Sequence, residues 1–417
     1  MLFWYIDPGT GSMLFTILIG IISAGFFAFR NLITKLKFLV KNGKKSSLQN
    51  ESSLEYVIFA DSKRYWNMFE PICDEFEKRG INLVYMTASE DDAALEKNYQ
   101  YISRQFIGNG NKAFVTMNML KANIVLSTTP GLDVYQWKRS KNVKYYVHIT
   151  HAVSDITFYR MFGIDYYDAI LISGSYQEEQ IRKLENLRNL PAKEIHLVGQ
   201  PYMDTLKSRL EASPSKHNDN VTVLLAPSWG KSSILNKYGE EFILSLIATG
   251  YNIIVRPHPQ SFTSEKEMIE RMMSKFPENE KFEWNRDNDN FEVLRKSDIL
   301  ISDFSGVLFD FSLAFDKPVI YADTSFDSSP YDACWLDEKD AWCFETLPKI
   351  GVQLKREDLP NIRNVIDSCI ESTEFQLHRD KIRSEAWAYQ GKSACCVVDY
   401  LIKKNKELSE LENSLDE

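Results

Sequence analysis

Residues 298–311, with the sequence DILISDFSGVLFDF, decide the fold class. The apolar run ILI at 299–301 is typical of a buried strand in a parallel sheet. The small and polar residues SDFSG follow at 302–306, and VLFDF at 307–311 continues as a helical pattern. A strand that passes directly into a helix in this way is the repeating unit of doubly wound α/β domains. We therefore expect an α/β protein with mostly parallel sheets.

The same turn predicts a phosphate or diphosphate site. Free N–H groups at the helix start, the helix dipole and the hydroxyls of Ser302 and Ser305 all favour an anion there. Gly306 allows the backbone to approach the ligand closely. Asp310 lies one helical turn further along, where it can reach a hydroxyl group of the bound ligand. The alternative is an ordinary capped helix, with Asp303 as a capping residue.

Size and composition exclude several classes of protein. The chain has 417 residues, 44% of them hydrophobic and 26% charged, which is sufficient for two or three packed domains. The formal net charge is −9 and no basic face interleaved with aromatic residues is visible, so we expect no nucleic-acid partner. The six cysteines lack CxxC spacing, which indicates reduced thiols. No cluster has metal-ligand spacing, so we predict no metal and no cofactor.

The N-terminal region predicts a membrane anchor. Residues 12–29 carry no charged side chain, and basic residues follow from Arg30 to Lys45. An apolar run of this kind with positive charge behind it predicts a single transmembrane helix in the cell membrane, with the rest of the chain on the cytoplasmic side. A cleaved signal peptide fits less well, because its basic cluster would precede the apolar run. An interfacial helix at 36–40 is the other alternative.

The remainder reads as two α/β units. Residues 1–53 form the anchor and a basic linker, residues 54–213 a first Rossmann-like domain, and residues 214–417 a second one with terminal helices. A polar stretch at 213–220 separates the two domains. Strands alternate with helices in both, which predicts parallel sheets.

Polar clusters occur where the predicted strands end. Five such clusters lie at residues 128–131, 148–151, 228–231, 256–258 and 302–306. In doubly wound sheets, ligands bind in the crevice beyond the carboxyl ends of the strands. The clusters therefore predict a ligand cleft between the two domains.

Several segments resemble the CDP-glycerol glycerophosphotransferase family of teichoic-acid synthesis. The segments are RPHP at 256–259, ISDFSGVLFDF at 301–311 and KPVI at 317–320. They are supported by VGQPYMD at 198–204, LAPSW at 225–229 and QGKS at 390–393. The resemblance implies a GT-B fold, in which residues 54–213 face the acceptor and residues 214–417 bind the CDP donor.

The resemblance also implies site residues. His258 and Arg256 would contact the donor phosphate or assist the leaving group, together with Ser302, Ser305, Gly306 and Asp310. Lys392 would approach the phosphates if the terminal helices fold back over the cleft. The family has a His-Gly turn where this chain has His151 and Ala152, and a second Ser where it has Gly306.

A histidine is the expected general base, because its ordinary pKa of about 6.5 suits proton abstraction. His151 ends the strand and enters the turn, so it is preferred. His148, in the strand itself, remains the alternative.

The expected function is transfer of glycerol phosphate, or a related polyol phosphate, from a CDP-activated donor to a lipid-linked glycan in cell-wall or surface-polymer synthesis. The first alternative is a GT-B glycosyltransferase that uses a nucleotide sugar for capsule or wall polysaccharide. The second is an inactive, nucleotide-binding membrane partner.

Overall fold

A computed structural model describes residues 53–214, 220–287, 289–322, 326–337 and 341–416. Residues 54–417 form one compact unit. The transmembrane helix predicted at 12–29 and its basic flank lie outside the described residues. Within the described ranges, no helix is both long and apolar enough to cross a membrane.

The first sheet is fully parallel and has seven strands in the order β3-β2-β1-β4-β5-β6-β7. Its strands are β1 (Leu54–Ala60), β2 (Leu83–Thr87), β3 (Ile102–Phe106), β4 (Ala122–Ser127), β5 (Val143–Ile149), β6 (Ala169–Ile172) and β7 (Glu194–Leu197). The accompanying helices are α1 (Trp66–Arg79), α2 (Asn111–Asn118), α3 (Tyr176–Arg188) and α4 (Pro201–Ala212).

The second sheet is also parallel and has six strands in the order β10-β9-β8-β11-β12-β13. Its strands are β8 (Thr222–Leu225), β9 (Asn252–Val255), β10 (Phe282–Trp284), β11 (Ile299–Ser302), β12 (Val319–Ala322) and β13 (Gly351–Leu354). The helices are α5 (Ile234–Ala248), α6 (Ser261–Ser264), α7 (Lys266–Lys275), α8 (Phe291–Lys296), α9 (Val307–Phe309), α10 (Trp342–Ile350), α11 (Ile362–Glu371), α12 (Glu374–Ala386) and α13 (Ser393–Asp416).

Both faces of each sheet are buried. In β1, Ile58 belongs to one hydrophobic cluster and its neighbours Val57 and Phe59 belong to the cluster on the other face. In β8, Leu225 belongs to the hydrophobic cluster on one face of the second sheet and Leu224 to the cluster on the other face. Successive side chains of a strand point to opposite faces, so apolar residues at every position require cover on both sides. The expected parallel α/β architecture is therefore confirmed.

The last helix, α13, returns from the second sheet to the first. Val397, Val398 and Leu401 are buried in the same cluster as β1 and α1. On the helix surface, Arg79 pairs with Asp399 at 2.6 Å. The division predicted between residues 213 and 214 separates the two sheets in sequence, but it stays a prediction as a domain boundary because residues 54–417 form one compact unit.

Asp204 holds the turn that precedes α13, where the chain passes back to the first sheet. Its carboxylate accepts hydrogen bonds from the indole N–H of Trp387 and from the backbone N–H groups of Gly391 and Ser393, each at 2.8 Å. Gly199 lies against the same turn with φ of 85°, and a Cβ there would lie 2.0 Å from the carbonyl oxygen of Ala388. The segments 198–204 and 390–393 therefore meet as a structural joint.

A buried ion-pair network ties the two halves together near the carboxyl edges of the sheets. The Asp332 carboxylate accepts the N–H of Phe162 at 2.7 Å and that of Gly163 at 3.3 Å, and it pairs with Arg188. Arg188 also pairs with Asp165 at 2.7 Å. The backbone N–H of Asp332 donates to the Tyr159 carbonyl at 2.9 Å. We call Asp332, Arg188 and Asp165 the interdomain clamp.

We expect Asp332→Ala to lower the free energy of unfolding by about 3–5 kcal/mol, because it removes one of the two carboxylates that pair with the buried Arg188 and leaves the N–H groups of Phe162 and Gly163 without an acceptor. Asp380→Ala is the matched control. Asp380 pairs with Arg383 at the surface, where its side chain is 65% exposed, so its loss should cost at most about 1 kcal/mol. Urea unfolding monitored by circular dichroism measures both. Equal losses in the two variants would contradict the clamp.

Candidate active site

Three connected cavities lie along the carboxyl ends of the strands. The inner cavity has a volume of about 280 Å³, the donor-side cavity about 400 Å³ and the outer cavity about 540 Å³. The inner and donor-side cavities share Tyr65, His151 and His258. The inner and outer cavities share Arg64, Asn67 and Arg256. A ligand in the inner cavity is thus flanked by two histidines on one side and two arginines on the other.

Strand ends place the principal side chains. Arg256 and His258 follow β9, His151 follows β5, and Ser305 and Gly306 follow β11. Parallel strands present their carboxyl ends at one edge, so residues distant in sequence converge there. The structure brings the predicted residues His151, Arg256, His258 and Asp310 together around the inner cavity, and Ser305 and Gly306 around the donor-side cavity.

Two predicted donor-binding residues are not brought to these cavities. The Ser302 side chain is fully buried, and its hydroxyl donates to the Ala226 carbonyl at 2.5 Å, which joins the ends of β11 and β8. Lys392 is exposed beside the Asp204 joint and lines none of the three cavities. The terminal helix does fold back, but onto the first sheet. The positions of Ser302 and Lys392 thus correct the expected site.

Asp303 caps a helix, although not the one that follows it. Its carboxylate accepts the backbone N–H groups of Ser228 and Ile234, both at 3.0 Å, and that of Phe304 at 2.8 Å. Ile234 is the first residue of α5. The carboxylate therefore orders the turn after β8, which carries Trp229 into the donor-side cavity.

His258 is held as a hydrogen-bond donor. Its Nδ1 accepts the backbone N–H of Gln260 at 3.1 Å. A backbone N–H can only donate, so the proton of the neutral imidazole must lie on Nε2. Burial lowers the pKa of His258 to about 4, with the positive charge of Arg64 adding to the effect. Near pH 7, His258 is therefore neutral with an Nε2–H group available to a ligand.

His151 has a different environment. Its Nδ1 lies 3.0 Å from the Thr128 hydroxyl and 3.1 Å from the Tyr159 hydroxyl. Hydroxyl groups can accept a proton as well as donate one, so Nδ1 can carry the hydrogen and leave Nε2 as a free acceptor. Burial lowers the pKa of His151 to about 4, and the charge of Arg64 contributes. His151 is thus also neutral near pH 7, but with Nε2 able to take a proton.

His148 lies behind this pair. Its side chain is fully buried, its Nε2 lies 3.2 Å from the Tyr159 hydroxyl, and it lines none of the three cavities. Burial lowers its pKa to about 3. The Tyr159 hydroxyl therefore bridges the two histidines. Of the two candidates for the base, only His151 reaches the cavities.

Asp310 faces the inner cavity without a compensating charge. It is buried, and its Oδ1 has no hydrogen-bond partner in the described part of the chain. Burial raises the pKa of this carboxyl to about 7. It opens the π-helical turn Asp310–Ala314, a feature often found at functional sites. Near neutral pH the group can donate or accept a hydrogen bond with a ligand hydroxyl.

Gly306 and Ala152, from the two halves of the chain, face each other in the donor-side cavity. A Cβ built on Gly306 would lie 3.6 Å from the Cβ of Ala152, an ordinary van der Waals contact. No backbone carbonyl in the described ranges accepts the N–H groups of Ser305, Gly306 or Val307. These N–H groups remain available to an anion.

The structure adds site residues that the sequence analysis did not find. Arg64 and Asn67 follow β1, and the polar run DSKR at 61–64 is the same strand-end signal that identified the other clusters. Tyr159 comes from the loop after β5 and carries no such signal. In the described ranges no group of three or more His, Cys, Asp or Glu is arranged to hold a metal ion. The expectation of a metal-free site stays a prediction.

Comparison with solved structures shows that the fold is GT-B-like. The wall teichoic acid polymerase TagF superposes with a TM-score of 0.57 at 18% sequence identity, covering 92% of this chain and 98% of that chain. For a variant of TagF soaked with CDPG, the TM-score is 0.57 at 16% sequence identity, and the match covers 91% of this chain and 98% of that chain. The UDP-GlcNAc 2-epimerase of Methanocaldococcus jannaschii, in complex with UDP-GlcNAc and UDP, superposes with a TM-score of 0.52 at 12% sequence identity. The match covers 84% of this chain and 100% of that chain.

The family follows from a sequence match. Residues 159–333 match the model described as CDP-glycerol:poly(glycerophosphate) glycerophosphotransferase. Over this segment the resemblance seen in the motifs to the CDP-glycerol glycerophosphotransferase family is confirmed. No curated protein sequence matches the chain.

The buried His148 predicts a loss of stability in acid. Its folded-state pKa of about 3 lies below the ordinary value, so the unfolded chain binds a proton that the folded chain does not. This contribution to stability is complete above about pH 6.5 and falls as the pH is lowered, by about 2 kcal/mol between pH 7 and pH 5.

The test is urea unfolding across that range. His148→Gln should show a shallower loss of stability than wild type between pH 7 and pH 5. His378→Gln, on the exposed face of α12, is the control and should follow wild type. Parallel curves for wild type and His148→Gln would contradict a buried neutral His148.

Proposed function

We propose that the protein is a membrane-anchored transferase that moves glycerol phosphate, or a related polyol phosphate, from a CDP-activated donor to a lipid-linked glycan. The match of residues 159–333 to the family model supports the reaction class. The two strand-end edges around one set of cavities support binding of a nucleotide diphosphate in the cleft.

The observation that carries this proposal is a pair of buried, neutral histidines with different neighbours at Nδ1. His258 presents Nε2–H because a backbone N–H occupies its Nδ1. His151 is backed by hydroxyl groups, which allow Nδ1 to carry the hydrogen and Nε2 to accept a proton. Both rings line the junction of the inner and donor-side cavities. A general base and a hydrogen-bond donor on either side of one ligand are what phosphoryl transfer requires.

In the proposed reaction, an acceptor hydroxyl oxygen attacks the phosphorus that bears the glycerol. A new P–O bond forms, the bond from this phosphorus to the bridging oxygen breaks, and CMP leaves with the electron pair. His151 Nε2 takes the proton of the hydroxyl, and His258 Nε2–H hydrogen-bonds the departing phosphate oxygen. Arg256, held by Asn285 at the edge of the inner cavity, and Arg64 opposite it neutralise the phosphate charge.

The donor-side cavity suits the nucleotide. Ser305 and Gly306 lie where the diphosphate would meet free N–H groups, and Trp229 offers a partly exposed ring 6.4 Å from the His258 ring. The Asp310 carboxyl in the inner cavity suits a polyol hydroxyl. The predicted anchor at 12–29 would keep the cleft close to a lipid-borne acceptor at the cytoplasmic face of the membrane.

The proposal is tested by CMP release from CDP-glycerol in the presence of membrane extract. We expect His258→Ala to lower the rate at least about 100-fold, because the leaving group loses its hydrogen-bond donor. His378→Ala, which removes an exposed histidine outside the cavities, should retain wild-type activity. A folded His258→Ala enzyme with full activity would refute the assignment of His258.

Donor identity is tested by thermal unfolding. CDP-glycerol should raise the midpoint temperature, since a ligand that binds only the folded state stabilises it, whereas UDP-GlcNAc should not. Protection by the UDP-sugar alone would favour the nucleotide-sugar glycosyltransferase. Protection by CDP-glycerol without CMP release from any acceptor would favour the inactive partner.

Tyr159 is proposed as a positioning residue for His151. Tyr159→Phe removes the hydroxyl that bridges the two histidines, so kcat should fall about tenfold with the donor KM unchanged. Nitrogen-15 NMR of labelled histidine should show less of the His151 tautomer that carries hydrogen on Nδ1. Tyr166→Phe, an exposed tyrosine, is the control. An unchanged tautomer ratio in Tyr159→Phe would remove this role.

A further inference from the structure

The donor-side cavity holds a single basic side chain that is charged at neutral pH. Among the described residues that line this cavity, Arg160 is the only lysine or arginine, whereas Arg64 and Arg256 line the inner cavity. His151 and His258 also line the donor-side cavity, but burial lowers the pKa of both to about 4, so they are neutral near pH 7. Arg160 is therefore the one cation that the described part of the chain offers to a ligand in this cavity.

The guanidinium group of Arg160 is available to a ligand. The residue is exposed and forms no ion pair or side-chain hydrogen bond with the described part of the chain. The only carboxylate among the described lining residues is that of Asp155, which is buried. It accepts the backbone N–H groups of Trp342 at 2.7 Å and Cys343 at 2.9 Å, which hold it at the start of α10. All five N–H donors of Arg160 thus remain for a ligand.

A short antiparallel pairing places Arg160 in the cavity. Arg160 and Tyr331 are direct partners in a bridge between residues 159–162 and residues 330–332, which we call the interdomain ribbon. Backbone hydrogen bonds of 3.3 Å and 2.9 Å lie on either side of the bridge. Residues directly opposite each other in an antiparallel pair carry their side chains on the same face, and both of these side chains line the donor-side cavity. The ribbon therefore brings a basic residue of the first half into a cavity shared with the second half.

The interdomain clamp holds the ribbon. Asp332 belongs to both, and its carboxylate accepts the N–H groups of Phe162 at 2.7 Å and Gly163 at 3.3 Å. Phe162 has φ of 64°, a conformation that bulky residues rarely adopt, so these contacts keep the backbone in an otherwise unfavourable shape. The backbone that carries Arg160 is thus ordered before any ligand binds, which reduces the entropy lost on binding.

The proposed reaction develops negative charge in this cavity. The bond from the reacting phosphorus to the bridging oxygen breaks, and the electron pair stays on the phosphate of the nucleotide, which gains one negative charge. Arg64 and Arg256 line the inner cavity and not the donor-side cavity, so they are placed for the transferred phosphate. The phosphate that departs with the nucleotide has Arg160 as its nearest source of positive charge in the donor-side cavity.

We propose that Arg160 binds the phosphate of the departing nucleotide and neutralises the charge that this phosphate gains as the bond to the transferred group breaks. The inference rests on the proposed function and deepens it, because it assigns the leaving group a residue of the first half. A guanidinium group matches phosphate oxygens with two parallel hydrogen bonds, and a cation placed where charge develops lowers the barrier to the chemical step. The nucleotide then contacts both halves, Arg160 in the first and the turn at Ser305 and Gly306 in the second.

Binding without turnover tests the phosphate contact. Isothermal titration calorimetry of the full-length protein in detergent gives Kd for CMP and for inorganic pyrophosphate. Arg160→Gln should weaken the binding of both ligands at least about tenfold, because the charge and the paired hydrogen bonds are lost. Arg160→Lys keeps the charge without the paired geometry, so it should weaken CMP binding less.

Arg271→Gln is the matched control, since it removes the same charge from the surface of α7, outside the three cavities. It should bind CMP and pyrophosphate like wild type. Thermal unfolding without ligand should give wild-type midpoints for both Arg160 variants, because the Arg160 side chain forms no hydrogen bond or ion pair with the described part of the chain.

Turnover tests the effect on the leaving group. In the assay of CMP release from CDP-glycerol, kcat of Arg160→Gln should fall at least about 100-fold, and the donor KM should change less. The departing phosphate carries more negative charge in the transition state than in the bound donor, so loss of the cation affects the chemical step more than donor binding. Arg160→Lys should recover part of the lost kcat.

Three results would overturn the inference. The first is wild-type affinity for CMP and pyrophosphate in a folded Arg160→Gln variant. The second is equal weakening in Arg271→Gln, which would show an effect of net charge alone. The third is an unchanged kcat in Arg160→Gln. If the wild-type protein never releases CMP from CDP-glycerol, but CMP and pyrophosphate bind through Arg160, the proposed function is wrong and the phosphate contact stands.

Discussion

The arrangement of the candidate site depends on a carboxylate that lies outside its cavities. Asp332 is buried between the two halves of the chain, where it accepts two backbone N–H groups of the loop after β5 and pairs with the guanidinium of Arg188. The same loop carries Tyr159, whose carbonyl accepts the Asp332 N–H and whose hydroxyl contacts His151. The clamp therefore ties the second half of the chain to the loop that contacts His151. An ionic network suits this task because it is directional, whereas apolar packing tolerates sliding.

The two histidines show how a fold assigns different chemistry to one residue type. Both are largely shielded from water, and burial disfavours their charged forms. They differ in the atoms behind Nδ1: a backbone amide behind His258 and two hydroxyls behind His151. A backbone N–H group can only donate a hydrogen bond, whereas a hydroxyl group can donate or accept one. The backbone amide thus fixes His258 as a donor at Nε2, whereas the two hydroxyl groups permit His151 to accept a proton there.

Much of this arrangement follows from sequence, and the failures have physical causes. The run ILI at 299–301 predicts β11 because buried parallel strands are continuously apolar, whereas the edge strands β3, β10 and β13 are short or carry polar residues and give no such signal. The strand-end clusters predicted residues that line shared cavities, because the carboxyl ends of parallel strands meet at one edge of a sheet. Ser302 was expected to bind a phosphate, but its hydroxyl donates to the Ala226 carbonyl on a neighbouring strand. Lys392 was expected near the phosphates, but the helix that follows it packs on the first sheet. Both outcomes depend on long-range packing, which local sequence patterns do not encode.

The contact between Gly306 and Ala152 bears on how relatives of this protein should be compared. The family pattern places glycine after the histidine and serine in the phosphate turn, whereas this chain has alanine in the first position and glycine in the second. A Cβ added at Gly306 would meet the Ala152 methyl group at 3.6 Å, an ordinary contact, so neither departure requires the other. Because the two positions face each other, a comparison with relatives should weigh them together as one wall of the same cavity.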